Sequence, residues 1–102
     1  MEQTRPPCLS PAEAQRKILL ILEEGTVDIS VHCRRRMRER GVDDLDIVHV
    51  LEKGQIIREA EWDLNHNEWK YRVEGTDVEG EELTAITVIF EVDLSLLIVT
   101  VF

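Results

Sequence analysis

Between Val31 and Arg40 the chain reads VHCRRRMRER, which sets five arginines (Arg34, Arg35, Arg36, Arg38 and Arg40) behind a histidine, His32. Guanidinium groups bind phosphate through paired hydrogen bonds, and histidine moves protons near neutral pH. Together they suit a phosphate-bearing ligand. Spacing sharpens the point. On a helix advancing about 100° per residue, with His32 at zero, Arg36 falls near 40° and Arg40 near 80°, while Cys33 and Met37 fall near 100° and 140°. Cys33 and Met37 therefore mark the core-facing side. His32, Arg36 and Arg40 form a ridge along its border, expected to be half covered by neighbouring elements and to point into one concavity. Arg34 and Arg38 lie farther round, toward solvent.

The same residues have a structural reading. Helical arginines often form a solvated face, their stems cover apolar surface, and 15 acidic residues downstream of Gly41 offer ion-pair partners. Other chemistry is sparse. His49 sits in an apolar helical pattern and His66 in a turn, and neither has zinc-ligand spacing with Cys8 or Cys33. There is no glycine-rich phosphate loop, no G-x-S-x-G and no C-x-x-C, so neither a cofactor nor a metal is expected. Trp69 and Tyr71 read as core residues, although an aromatic at a sheet edge can stack on a base.

The net charge of −9 opposes undirected nucleic-acid binding, because phosphate is repelled at long range. The charge is unevenly spread, however. Residues 1–41 carry eight Lys/Arg against six Asp/Glu, and residues 42–102 carry four against fifteen. A local basic surface is thus compatible with an acidic chain. At 102 residues the chain is expected to be one domain. MEQTRPPCLSPAEAQ has no apolar run behind its charges, and LLIVTVF is too short to span a bilayer, so neither a secretory leader nor a membrane span is expected. Two cysteines without disulfide or metal spacing favour a reducing, cytoplasmic setting.

These residues must be positioned by elements the pattern can locate. Residues 1–9, with Pro6 and Pro7, read as a loose arm. Ser10, Pro11 and Glu13 supply a capped helix start, and Gly25 its stop. Ser30 caps a second helix to about Arg40, ended by Gly41; DDLD starts a third, with Ile47, Val48 and Leu51 on one face and Gly54 as its stop. Strands are expected in QIIREAEW, EWKYRVE, LTAITVIFEV and SLLIVTVF, joined by polar turns. In EWKYRVE, Trp69, Tyr71 and Val73 face one way and Lys70 and Arg72 the other. The expected fold is α+β, with N-terminal helices packed on one face of a four-stranded antiparallel sheet. Trp69, Val73, Ile86, Val88, Val99 and Val101 are expected in the core beneath the helices.

The stretches SVHCRRRMRERGVDDLDIVHVLEKGQII, YRVEGTDVEGEELTAITVIF and LLIVTVF resemble the domain-of-unknown-function 4258 family. Its pattern is a helix reading S-x-H-A-x-x-R-M-x-E-R-G-I, then D-(I/V) and a glycine before a strand, a G-x-D-x-x-G turn and a closing V-x-T-V. Ser30, His32, Arg36, Met37, Glu39, Arg40, Gly41, Gly54, Gly75, Asp77, Gly80 and Thr100 match, and Cys33 replaces the usual alanine. The resemblance covers roughly residues 27–102. It implies a fold similar to small bacterial toxins of the RelE and BrnT kind, which are messenger-RNA endonucleases, with RNA and an antitoxin protein as partners. Metal-free RNA cleavage uses the 2′-hydroxyl as nucleophile. On that reading His32 is the acid or base, Arg36 and Arg40 bind the phosphate and its developing charge, and Tyr71 is a proton donor or base-stacking residue. The competing expectation is a non-enzymatic interaction module in which His32 packs at the helix start and the arginines pair with carboxylates.

Overall fold

Ser10 sets where the first helix begins. Its hydroxyl accepts from the Glu13 N–H at 3.1 Å, while the Glu13 carboxylate accepts from the Ser10 N–H at 3.0 Å. With Pro11 at the first helical position, α1 runs Pro11–Glu24 and buries Ala14, Ile18 and Ile21. It stops at Gly25, where a Cβ would collide with the Leu94 carbonyl. The structure, a computed structural model, describes residues 5–102, so the first four residues of the expected arm lie outside it. The remaining elements are β1 (Thr26–Ile29), α2 (Val31–Arg40), α3 (Asp44–Lys53), β2 (Glu61–Asp63), β3 (Glu68–Thr76), β4 (Glu82–Phe90) and β5 (Ser95–Val101).

The α+β class holds, but the sheet has five strands and is mixed. Its order is β1-β5-β4-β3-β2, with β1 parallel to β5 and every other pair antiparallel. The strand absent from the expected four is β1. TVDI is too short for a clear alternation, and its partner Ser95–Ile98 is remote in sequence, so nothing local announces it. Conversely, the expected strand at residues 55–62 is mostly irregular. Gln55 makes an isolated bridge to Glu74, Ile56 inserts into the core, and regular pairing begins at Glu61.

The core lies between the helices and one face of the sheet. It joins Ile18, Ile21, Cys33, Met37, Ile47, Val50 and Leu51 to Tyr71, Val73, Leu83, Ala85, Leu96, Ile98 and Val101. Of the six strand residues expected there, Val73 and Val101 belong to it and Trp69 packs against it half-buried. Ile86 and Val88 alternate with Ala85 and Thr87, so they point to the opposite face. Val99 joins Ile86 there because β5 bulges: Ile86 pairs with Thr100 and Thr87 with Ile98, which leaves Val99 unopposed. On α3, Val50 rather than Val48 takes the third core position, and Val48 is exposed. The end of α3 can approach β3 only through glycine. A Cβ on Gly75 would lie 2.9 Å from the Gly54 Cα.

Candidate nucleic-acid interface

The bulge seats α2. The Ser30 hydroxyl donates to the freed Val99 carbonyl at 2.8 Å and accepts from the Cys33 N–H at 2.9 Å, capping the helix while tying it to β5. Cys33 and Met37 are buried against the sheet, and burial pushes the Cys33 thiol up from its ordinary pKa. Gly41, at φ 67°, closes the helix in the left-handed region, its N–H reaching the Met37 and Arg38 carbonyls. Arg38 and Arg40 occupy the last turn, where positive charge complements the helix dipole.

His32, Arg36 and Arg40 do lie on this one helix, in the order expected. Along it His32 and Arg40 are exposed and Arg36 is half-buried, so of the three only Arg36 is half covered as expected. Arg36 pairs with Glu39 at 3.3 Å, and Arg40 donates to the Glu82 carbonyl at 3.3 Å. On the other flank Arg34 meets Asp44 at 2.6 Å. There a shallow groove of about 450 Å³ runs between α2 and α3, lined by Arg34, Met37, Arg38, Val42, Asp43, Asp44 and Leu45; none of the three ridge residues reaches it. Among the described residues, Arg35, Arg38 and Arg40 have no carboxylate within ion-pair distance.

Tyr71 stands apart from the ridge. It pairs with Thr87 on β4, whereas Arg40 is anchored at Glu82 near the other end of that strand. At ~3.4 Å per residue the two points are roughly 17 Å apart. Tyr71 is only 4% exposed, and its hydroxyl accepts from the Leu9 N–H at 2.9 Å. Burial raises its pKa, so the phenol stays protonated at neutral pH.

A second basic group lies on the face of the sheet turned from the helices. Arg58, Lys70 and Arg72 border a cavity of about 220 Å³ with Glu59, Glu61, Ile86, Val99 and Thr100. The alternation of EWKYRVE shows Lys70 and Arg72 sharing a face, but not that carboxylates await them. Lys70 contacts Asp63 at 2.7 Å, and Glu74 receives Arg58 at 3.3 Å and Arg72 at 3.8 Å. Asp63 is also bonded to His66, and with Glu68 these side chains place their donor atoms within 4.8 Å of one another. The Asp63 oxygen facing His66 is the one that the Lys70 ammonium already covers, so the group is built as an ion-pair hub. Cys8 and Cys33 are free thiols, the first exposed and the second buried.

The fold and the ridge together define a class: a small α+β domain whose mixed sheet carries a cationic helix on its bulged strand. The family described as Domain of unknown function (DUF4258) matches residues 29–102, and the chain belongs to that family. The match takes in α2 and everything after it, leaving the arm, α1 and nearly all of β1 outside. No curated protein and no solved structure matches the chain. Among the described residues, no helix is long and apolar enough to cross a membrane.

Proposed function

We propose that this protein is an RNA-binding member of the toxin type suggested by its resemblance to RelE and BrnT proteins, with α2 as the element that contacts RNA. The observation carrying this is the availability of charge on α2, where Arg35, Arg38 and Arg40 have no carboxylate partner among the described residues although the chain as a whole is strongly acidic. Such guanidinium groups release condensed counterions when they meet phosphate, a gain that paired arginines largely forgo.

Cleavage is the second part of the proposal. His32, one turn before Arg36, takes the proton of a 2′-hydroxyl; that oxygen attacks the adjacent phosphorus, and the 5′-oxygen departs with a proton from water. Arg36 and Arg40 hold the phosphate and the charge that develops on it. Tyr71 has no place in this scheme, because its hydroxyl is buried and engaged by Leu9. The pairs Arg34–Asp44 and Arg36–Glu39 favour the other reading, a non-enzymatic interaction module with a structurally tied helix.

Purified wild-type protein, His32→Ala and Arg36→Ala are to be compared on short single-stranded RNAs without divalent metal. Arg36→Ala is expected to weaken binding and lower the log–log salt slope by less than the full unit of a free arginine, because Glu39 already pairs with it. His32→Ala is expected to slow cleavage while leaving binding intact. Absence of binding at low salt sinks the RNA reading; binding without cleavage sinks only its enzymatic half.

A further inference from the structure

We propose that Trp62, Trp69 and Tyr71 form a docking site for a basic, proline-containing peptide segment, occupied in this chain by its own Arg5–Leu9, and that a partner protein's segment of the same chemistry displaces that arm. The expected loose arm is in fact held, over Arg5–Leu9, by two hydrogen bonds and a cation–π contact. The Trp69 indole N–H donates to the Pro6 carbonyl at 2.7 Å. The Leu9 N–H donates to the Tyr71 hydroxyl at 2.9 Å. The Arg5 guanidinium carbon lies 5.3 Å from the Trp62 ring centroid. The two indoles themselves meet edge to face, with centroids 5.0 Å apart, at the paired positions of β2 and β3.

The chemistry of the two sides is complementary. Pro6 and Pro7 lack N–H groups and have φ fixed near −65°, and Arg5 and Pro6, each preceding a proline, are steered to extended backbone. Such a segment is stiff and offers carbonyls and ring faces. The platform supplies an indole donor and aromatic surfaces, the general means by which proteins read extended proline segments. Glu68 and Glu91 border the site, which favours a cation such as Arg5 in the ligand.

The arm does not fill the space. A cavity of about 510 Å³ remains beside Pro6 and Pro7, walled by Trp62, His66, Phe90 and Val92. Val92 is fully exposed, so a longer segment has apolar surface to cover. The arm is also easily released in structural terms: Arg5 to Cys8 are exposed and belong to no helix or strand. Its advantage over a ligand in trans is the tether, which sets an effective concentration on the order of 1 mM. Finally, the platform lies within the family match at residues 29–102 and the arm lies outside it, so the surface does not belong to the arm alone.

The chain has two tryptophans, both in this site, so intrinsic emission reports on it directly. The full chain is to be compared with a variant carrying Arg5→Glu, Pro6→Gly and Pro7→Gly, all exposed positions, after circular dichroism shows the same fold. The probe is a synthetic peptide of residues 3–9, QTRPPCL. The arm variant is expected to emit at longer wavelength, to bind the peptide at least tenfold more tightly than wild type, and to recover the wild-type emission at saturation. Adding Trp62→Ala is expected to reduce that binding at least tenfold. Arg5→Glu alone, which disturbs only the Trp62 contact, shifts both readouts in the same direction by less. Unchanged emission in the arm variant, equal peptide affinity for the two chains, equal binding of the scrambled-chemistry peptide QTEGGCL, or a preference for oligouridylate over peptide each overturns the proposal.

Discussion

Two regions of this domain are rich in cations and hold them in opposite ways. On α2, Arg35, Arg38 and Arg40 lack carboxylate partners among the described residues, and only Arg34 and Arg36 are paired. On the open face of the sheet, Lys70, Arg72 and Arg58 each meet Asp63 or Glu74. Secondary structure explains the contrast. A helix turns successive side chains to different sides, and α2 carries one acid, Glu39, to offer to its own arginines. A strand returns every second residue to one face and sets a neighbouring strand about 4.8 Å away, so Lys70, Arg72 and Glu74 converge with residues of β2. Counting cations therefore says little about anion binding. What matters is whether the fold has already spent them.

The largest expected effect breaks the comparison at its base, by showing that α2 is held through its apolar side. Met37→Ala removes a buried anchor and is expected to cost about 2–5 kcal/mol in denaturant unfolding, far more than any arginine substitution on the same helix. Next, Glu74→Gln removes the charge shared by Arg58 and Arg72, two partners only partly shielded from solvent, and is expected to cost about 1 kcal/mol. A loss much below that would mean these cations are as available as those of α2.

The ion-pair hub of the sheet face also predicts a pH dependence. Lys70, then His66, hold the Asp63 carboxyl well below its ordinary value of 3.8. A depressed carboxylate stabilises the fold in full above the unfolded pKa and loses that contribution as pH falls below it. Unfolding midpoints measured from pH 6 down to pH 2 should therefore fall below about pH 4, and less steeply in Asp63→Asn. Asp46, lowered by the Val78 and Asp43 N–H groups, adds to the same limb. The smallest stability effect belongs to Arg35→Ala with Arg38→Ala, expected to remain within about 0.5 kcal/mol of wild type. That pair should nevertheless show the clearest loss of RNA affinity, because free charge leaves without structural cost.

Local signals were legible in the sequence and long-range ones were not. The limits of α1 follow from Ser10, Pro11, Glu13 and Gly25, all within or beside the helix they bound. The order of His32, Arg36 and Arg40 likewise follows from helical spacing alone. Whether that ridge is a cleft depends on what packs beside it, and spacing is silent on this. Tyr71 shares no site with the ridge because of the register of β3 on β4, a property of pairing rather than of either segment. Val99 changes face through a one-residue bulge that a strict alternation cannot represent. The alternation of Lys70 and Arg72 was readable, whereas Asp63 reaches Lys70 only through the β2–β3 pairing. The contacts of Pro6 and Leu9 with Trp69 and Tyr71 span more than 60 residues and left no local mark.

The parallel pairing of β1 with β5 has a kinetic consequence. The Ser30 hydroxyl and the Val99 carbonyl that accepts from it are separated by 69 residues, and among the described residues β1 has no other partner strand in the sheet. The β2–β4 meander can form from neighbouring segments, but α2 gains its apolar seat only when β5 inserts between β1 and β4. Closing a loop of that length costs on the order of 4 kcal/mol in chain entropy before any contact repays it. Folding is therefore expected to be limited by the arrival of β5. Until then the cationic helix would be present as sequence without a surface to stand on, with Cys33 and Met37 open to solvent.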